Sequence, residues 1–356
     1  SAASDVYKRQ ITQHSIILMV GAVVVVFLHN VPYKWFQVFP VFLYPISLVL
    51  LAFVTLMGII TGDRVNGAAR WMTFMGLQFQ PSELAKMAVI IAVSFILSKR
   101  QDEEGANPKA FKYIMILTGL VLLLIAPENL STAMLLFGVV FMMMFIGRVA
   151  AKKLLLLAGG LVLIVALGVG TVVAIPAKTL HNTPGLHRLE TWQNRIKGFF
   201  DKDEVPAAKF DIDKDAQIAH ARIAIATSHV VGKGPGNSIQ RDFLSQAFSD
   251  FIFAIVIEEV GLIGGIFVVF LYLCLLMRAG RIAQKCERTF PAFLVMGIAL
   301  LLVSQAILNM MVAVGLFPVT GQPLPLVSKG GTSTLINCAY IGMISVSYTH
   351  LTLPTN

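Results

Sequence analysis

Charge is scarce in this sequence. Asp, Glu, Lys and Arg supply 13% of its 356 residues and apolar residues 56%, whereas a soluble domain uses about 25% charge. A water-soluble globule of this length is therefore excluded. Cysteine is scarcer still: Cys274 and Cys338 fall in apolar runs, Cys286 falls in a basic loop, and no disulfide framework follows. The alternating pattern of barrel strands is missing, as are internal repeats and nucleotide-binding motifs. His220 and His229 have no Cys, Asp or Glu partner at ligand spacing, so zinc is not implied.

Long apolar runs are abundant. A helical span needs about 20 apolar residues to cross the hydrocarbon. Runs of that kind lie at roughly 15–31, 38–60, 81–98, 111–127, 130–147, 153–175, 258–277, 290–317 and 333–347. The expected fold is all-α: a polytopic helical membrane protein of about nine spans, with one long hydrophilic region over 176–257. Pro127-Glu128-Asn129 joins the fourth and fifth runs in a tight hairpin. Residues 1–10 and 348–356 are polar and unpatterned, and read as non-native scars flanking one domain over 11–347.

The net charge of +9 would suit nucleic acid, but the basic residues stand in short loops between spans, where membrane topology requires them. No nucleic-acid partner is implied. One set of alternate loops holds Lys34, Lys99, Arg100, Lys109, Lys112, Arg148, Lys152, Lys153, Arg278, Arg281, Lys285 and Arg288; the short loops of the other set hold only Arg64, Arg70 and Lys329. Twelve against three places the first set in the cytoplasm. Loops 61–80, 176–257 and 318–332 are then extracytoplasmic, and so is any chemistry.

The stretch from Gly232 to Gly265 concentrates what remains. A glycine-rich basic loop runs into an apolar segment carrying Asp250, Glu258 and Glu259. Ionisable groups beside hydrocarbon are expensive and point to function. The apolar run from Phe251 to Met277 is longer than a span needs. The expected solution is a helix starting near Glu258 and Glu259, where its dipole favours carboxylates, with 242–257 as a separate amphipathic piece. Asp250, desolvated by Phe248, Phe251 and Phe253, becomes a stronger base; the plainer reading of Ser249-Asp250 is a helix cap. Residues 216–231 fit a helix lying on the membrane.

Other residues converge on anion chemistry. Glu83 and Lys86 share one helix face at the start of the third run, after Pro81. They read either as a first-turn carboxylate with a snorkelling lysine or as a pair facing a crevice. Arg70 lies at the outer interface and suits a phosphate, beside Trp71 as an anchor. Lys233-Gly234-Pro235-Gly236-Asn237 could wrap an anion with backbone N–H groups, and Ser328-Lys329-Gly330-Gly331 before the last run has the make-up of a phosphate seat. Asn309, inside the eighth run, reads equally as interhelical glue or as a ligand.

Taken together, NGAARW (66–71), QPSELAK (80–86), PENLSTA (127–133), GKGPGNS (232–238), SDFIFAIVIEEVGLIG (249–264) and GQPLPLVSKGGTS (321–333) resemble the shape, elongation, division and sporulation family of membrane glycosyltransferases. The resemblance covers about 11–347 and is nearer the division branch than the elongation branch. It implies a ten-span fold of which this chain supplies the second span onward. It also implies polymerisation of lipid II into peptidoglycan strands at the outer face of the bacterial inner membrane, with undecaprenyl diphosphate released and inversion at the sugar. Asp250, Glu83 and Lys86 match the family's motifs directly, and the resemblance implies Asp250 as the catalytic base. The residues themselves add Arg70, Lys233, Lys329 and Ser249 to Glu83 and Lys86 as substrate-binding candidates, Lys329 standing where the family often has tyrosine and Phe248-Ser249 where it often has His-Thr. No cofactor is demanded, and a divalent cation (Mg or Mn) bridging Asp250 and diphosphate is compatible. The implied partners are a class B penicillin-binding protein, which is a transpeptidase, and other division proteins. A flippase for a lipid-linked precursor and a non-catalytic division scaffold are the competing readings.

Overall fold

The structure is a computed structural model that describes residues 2–60, 72–74, 77–103, 105–174, 193, 215–240, 243–244, 249–329 and 331–352. The nine apolar runs all form helices. They are α1 (Ala2–Asn30), α3 (Phe39–Ile60), α4 (Pro81–Lys99), α5 (Pro108–Ile125), α6 (Leu130–Ile146), α7 (Ala151–Ala174), α9 (Ile252–Lys285), α10 (Thr289–Ala313) and α11 (Gly331–Thr352). Two short helices, α2 (Tyr33–Phe36) and α8 (Asp215–Ala226), complete the helical set among the described residues. Two small antiparallel ribbons complete the strands: β1 (Met72–Phe74) with β2 (Leu77–Phe79), and β3 (Gln101–Asp102) with β4 (Gly105–Ala106). Among the described residues six helices are long and apolar enough to cross a membrane, and Ser15–Asn30 and Leu130–Ile146 are shorter apolar helices.

Local chemistry sets the helix starts. Pro81 and Pro108 occupy first-turn positions, where a missing N–H costs nothing. Asn107 caps α5 by accepting from Lys109 N, and Asn129 caps α6 by accepting from Thr132 N. The second cap lets α5 and α6 turn back within four residues, as the hairpin reading requires.

Helices α4 and α10 form the centre. Val89, Ile90, Val93 and Leu97 of α4 pack with Leu136, Val140 and Met143 of α6 and with Leu294, Ile298 and Leu301 of α10, all buried. Gly297 permits this approach, because a Cβ there would stand 2.7 Å from the Met143 Cε and 3.0 Å from the Ile90 Cγ2. Lipid tails are as apolar as leucine, so close packing and hydrogen bonds hold these helices together rather than removal from water. At the other extreme, Leu155, Leu156, Val162 and Ile164 on α7 are at least 60% exposed, a surface made for hydrocarbon.

The loops sort to two ends. At one, Asn107 N donates to Arg100 O, Ala106 N to Arg148 O, Lys153 Nζ to Pro108 O and Thr289 Oγ1 to Ser98 O, with the Arg288 guanidinium over the Tyr33 ring. These are the short loops in which basic residues concentrate. The opposite end holds Gln80, Asn129, Asp250 and Gln322. A second buried cluster lies under it, formed by Phe251, Phe253 and Ile257 of the α9 segment, Ala306 and Met310 of α10, Leu324, and Ala221 and Ala224 of α8.

Two expectations need correction. Helix α9 does not begin at the glutamates: it begins at Ile252 and breaks at Gly261, whose φ of 82° is left-handed. Glu258 and Glu259 therefore end the first segment, and the apolar run is long because it contains two helices. Helix α8 stops at Ala226, and its alanine face packs into the second cluster rather than resting on the membrane alone.

Candidate active site

Asp250 sits in a turn at the entrance to α9, half-buried, next to fully enclosed Phe251. Its carboxylate Oδ1 accepts from the Ser249 hydroxyl at 2.9 Å. The turn is held from below. Asn309 Nδ2, on α10, donates to the Asp250 carbonyl at 2.8 Å and to the Gln322 carbonyl at 2.8 Å. Ser328 Oγ donates to the Ser249 carbonyl at 2.6 Å and accepts from Leu324 N at 2.7 Å. Gln322 Nε2 reaches Thr132 Oγ1 at the start of α6, 2.6 Å away. Tyr272 O–H donates to the Pro325 carbonyl. The loop 321–328 thus ties α6, α9 and α10 around the Asp250 turn.

Glu83 and Lys86 form an ion pair at 2.8 Å, one turn into α4, and both are enclosed: Glu83 is 3% exposed and Lys86 0%. Lys86 Nζ also donates to Gln305 Oε1 at 3.0 Å. An isolated cation at mid-membrane costs about 2.5–3.5 kcal/mol on insertion scales, which the carboxylate and the amide offset. The pair is therefore neither solvated nor snorkelling. In this conformation Lys86 is wholly enclosed by the fold. At the start of α4 a small crevice opens between α3, α4 and α5, lined by apolar Leu51, Val54, Leu124 and Ile125 and by polar Thr55, Gln80, Ser82, Glu128 and Asn129.

Lys233 is committed elsewhere. Its Nζ lies 2.6 Å from Glu258 Oε1 and also donates to Thr227 Oγ1. Glu258, fully buried, accepts in addition from Ser238 Oγ at 2.5 Å and from the N–H groups of Ile239 and Gln240. The glycine loop does not cradle an anion with its first amides either, since Lys233 N and Gly234 N donate to Glu258 O and Glu259 O. Across the same junction Leu262 N and Ile263 N donate to His229 O and Val230 O. The loop thus splices the break in α9, meeting both its orphan carbonyls and its orphan amides.

Lys329 is exposed at the end of the loop that holds the Asp250 turn. Ser328, read as part of a phosphate seat, spends its hydroxyl on the backbone instead. Asn309 acts as glue, between helix and loop. Arg70, Trp71, Phe248 and Gly330 lie outside the described residues. His220 Nδ1 meets Gln240 Oε1 at 2.6 Å, with its ring stacked on Phe243. Among the described residues no three of His, Cys, Asp or Glu gather as a metal site. Gln305, Gln322, Thr132 and Ser238 carry much of this network without having been singled out from the sequence. The signal available was an amide inside an apolar span, which Gln305 shares with Asn309.

The chain matches the family model described as cell cycle protein, which covers FtsW, RodA and SpoVE, over residues 2–352. A probable peptidoglycan glycosyltransferase FtsW of Trichlorobacter lovleyi is 33% identical over 339 residues, spanning 95% of this chain and 82% of that protein. Another from Geobacter sp. strain M18 is 34% identical over 313 residues, spanning 87% and 78%. Among solved structures, a chain from a peptidoglycan synthase complex that coordinates polymerization and crosslinking superposes with a TM-score of 0.74 at 25% identity, covering 96% of this chain and 90% of that one. The rod shape determining protein RodA of Thermus thermophilus shares the fold, with a TM-score of 0.65 at 23% identity and coverage of 96% and 88%. This chain is a multi-pass, all-α membrane protein and belongs to the FtsW, RodA and SpoVE family of cell cycle proteins.

Proposed function

We propose that the protein is a peptidoglycan glycosyltransferase that polymerises lipid II during cell division, with Asp250 as the general base. The observation that carries this reading is the Asp250 turn. A half-exposed carboxylate stands on a backbone clamped by Asn309 and Ser328, at the end of the bundle opposite the basic loops. A base needs a fixed position more than it needs neighbours.

In the reaction the 4-hydroxyl of the acceptor N-acetylglucosamine attacks the anomeric carbon of the donor N-acetylmuramic acid. The new C–O bond forms as the bond from that carbon to the diphosphate breaks, the hydroxyl proton passes to Asp250, and undecaprenyl diphosphate leaves. One displacement inverts the sugar, so no second carboxylate nucleophile is required. The polyprenyl tail would lie between spans, against their apolar faces. Lys329, which is exposed, meets the diphosphate together with Arg70, the latter assigned from the sequence alone, and Ser249 orients Asp250. The Glu83–Lys86 pair lies beneath, and Lys86 reaches substrate only by exchanging Gln305 for it. A divalent cation, if bound, would take Asp250 as a ligand and fill its oxygen shell from diphosphate and water, as magnesium commonly does. The positive-inside count supports an extracytoplasmic site in the inner membrane, and a class B penicillin-binding protein is the expected partner.

The test is reconstitution of the full chain with that transpeptidase in vesicles supplied with lipid II. Glycan polymer from the wild type and none from Asp250→Ala supports the enzyme. Equal polymer from both removes Asp250 from its role. Lipid II crossing the bilayer without polymer favours a flippase, and neither activity favours a scaffold.

A further inference from the structure

Gln305 and Asn309 stand one helical turn apart on α10, a separation of about 6 Å along the axis. Both are buried amides in an apolar helix, 3% and 1% exposed. Each serves two elements. Gln305 accepts from Lys86 Nζ at 3.0 Å and donates to the Pro323 carbonyl at 3.0 Å. Asn309 donates to the carbonyls of Asp250 and Gln322. The four contacts therefore connect α4, the Asp250 turn and the loop 321–328 to a single rigid rod.

We propose that Gln305 and Asn309 are positioning residues that fix the distance between Asp250 and Lys86, the first through the lysine and the second through the backbone of the aspartate. This rests on the catalytic reading of Asp250. Neither amide touches the reacting atoms. A lone buried amide would cost free energy and specify nothing, whereas two amides at i and i+4, one bonded to the Lys86 ammonium and the other to the Asp250 backbone carbonyl, set a length. Amide contacts between membrane helices are modest in stability; their value here is geometric, because a misplacement of about 1 Å can cost about a hundredfold in rate.

The test uses the full chain with its transpeptidase partner in vesicles, lipid II as substrate, and the near-isosteric variants Gln305→Met and Asn309→Leu. Both keep an apolar span insertable, and thermal midpoints check that each folds. Asn309→Asp, which keeps the shape but replaces the donor with an acceptor, stands in should Asn309→Leu fail to fold. The expected result is a fall in kcat of about tenfold or more in each, with KM within about twofold. Since both amides govern one distance, the double variant loses about as much as the worse single variant, not the product of the two. Wild-type kcat in the folded variants, a loss confined to KM, or multiplicative losses would overturn the proposal. Asp250→Ala is measured alongside: if it polymerises like the wild type, the catalytic reading itself is gone, a result distinct from any failure of the two amides.

Discussion

Gly232 and Gly261 meet backbone to backbone. A Cβ on Gly232 would lie 2.4 Å from Gly261 N and 2.5 Å from Glu259 O, and one on Gly261 would lie 2.2 Å from Val230 O. Both residues have left-handed φ, 77° and 82°. The two glycines allow the loop to enter the break in α9 and satisfy its open backbone groups.

A methyl group at either position should undo the splice. Gly261→Ala carries a backbone penalty of about 1–3 kcal/mol, because φ 82° with ψ −176° is a conformation only glycine adopts readily, and a clash with backbone that cannot move aside, so its thermal midpoint should drop sharply and its activity with it. Gly236→Ala is the control. Its φ is 81°, but nothing lies within 4 Å of the added Cβ, so only the conformational penalty applies. Comparing midpoints of the two in detergent checks the argument, which fails if they are equal.

Glu258 should matter more to stability than its partner. Removing the carboxylate takes the acceptor from Lys233, Ser238, Ile239 and Gln240 at once, and each buried donor left unmet costs about 1–3 kcal/mol. Lys233 is 26% exposed, and Glu258 keeps three other donors without it. Lys233→Ala should therefore cost only about 1 kcal/mol after solvent screening. Unfolding of both single variants measures the asymmetry.

The Glu83–Lys86 pair separates stability from catalysis. Glu83→Ala leaves an enclosed cation with Gln305 alone and should destabilise by about 3–5 kcal/mol. Glu83→Gln with Lys86→Met removes both charges and should recover most of that loss, because a well-packed neutral pair is often as stable as an ionic one. Polymerisation should not recover. A double variant that is both stable and active would show the pair to be structural only.

Lys329 is exposed and belongs to the rim. Lys329→Ala should raise KM for lipid II by about fivefold with kcat nearly unchanged, the size expected for a rim charge worth about 1 kcal/mol. Steady-state kinetics at two salt concentrations checks it: the difference should shrink at the higher salt.

The nine long helices were legible because each is written as an apolar run, and the short loops because basic residues crowd one set of them. The break in α9 was misplaced by a few residues. The glutamates drew the helix start toward themselves through the dipole argument, while Gly261, two residues on, was the position where the backbone reverses hand. The ion pair of Glu83 and Lys86 was legible from their three-residue spacing, but its depth was not: burial of Lys86 depends on Gln305, 219 residues away in sequence. Likewise the clamp on Asp250 comes from α10 and from the loop 321–328, and no local pattern links Asn309 or Ser328 to it. The commitment of Lys233 to Glu258 was hidden for the same reason.

The most direct test of the central claim is the rate of glycan bond formation by Asp250→Asn at saturating lipid II, in the full complex, with lipid II binding measured in parallel. The account predicts that binding survives and that kcat falls by about a hundredfold or more, the usual worth of a general base. Bond formation by the folded variant at close to the wild-type rate would contradict it.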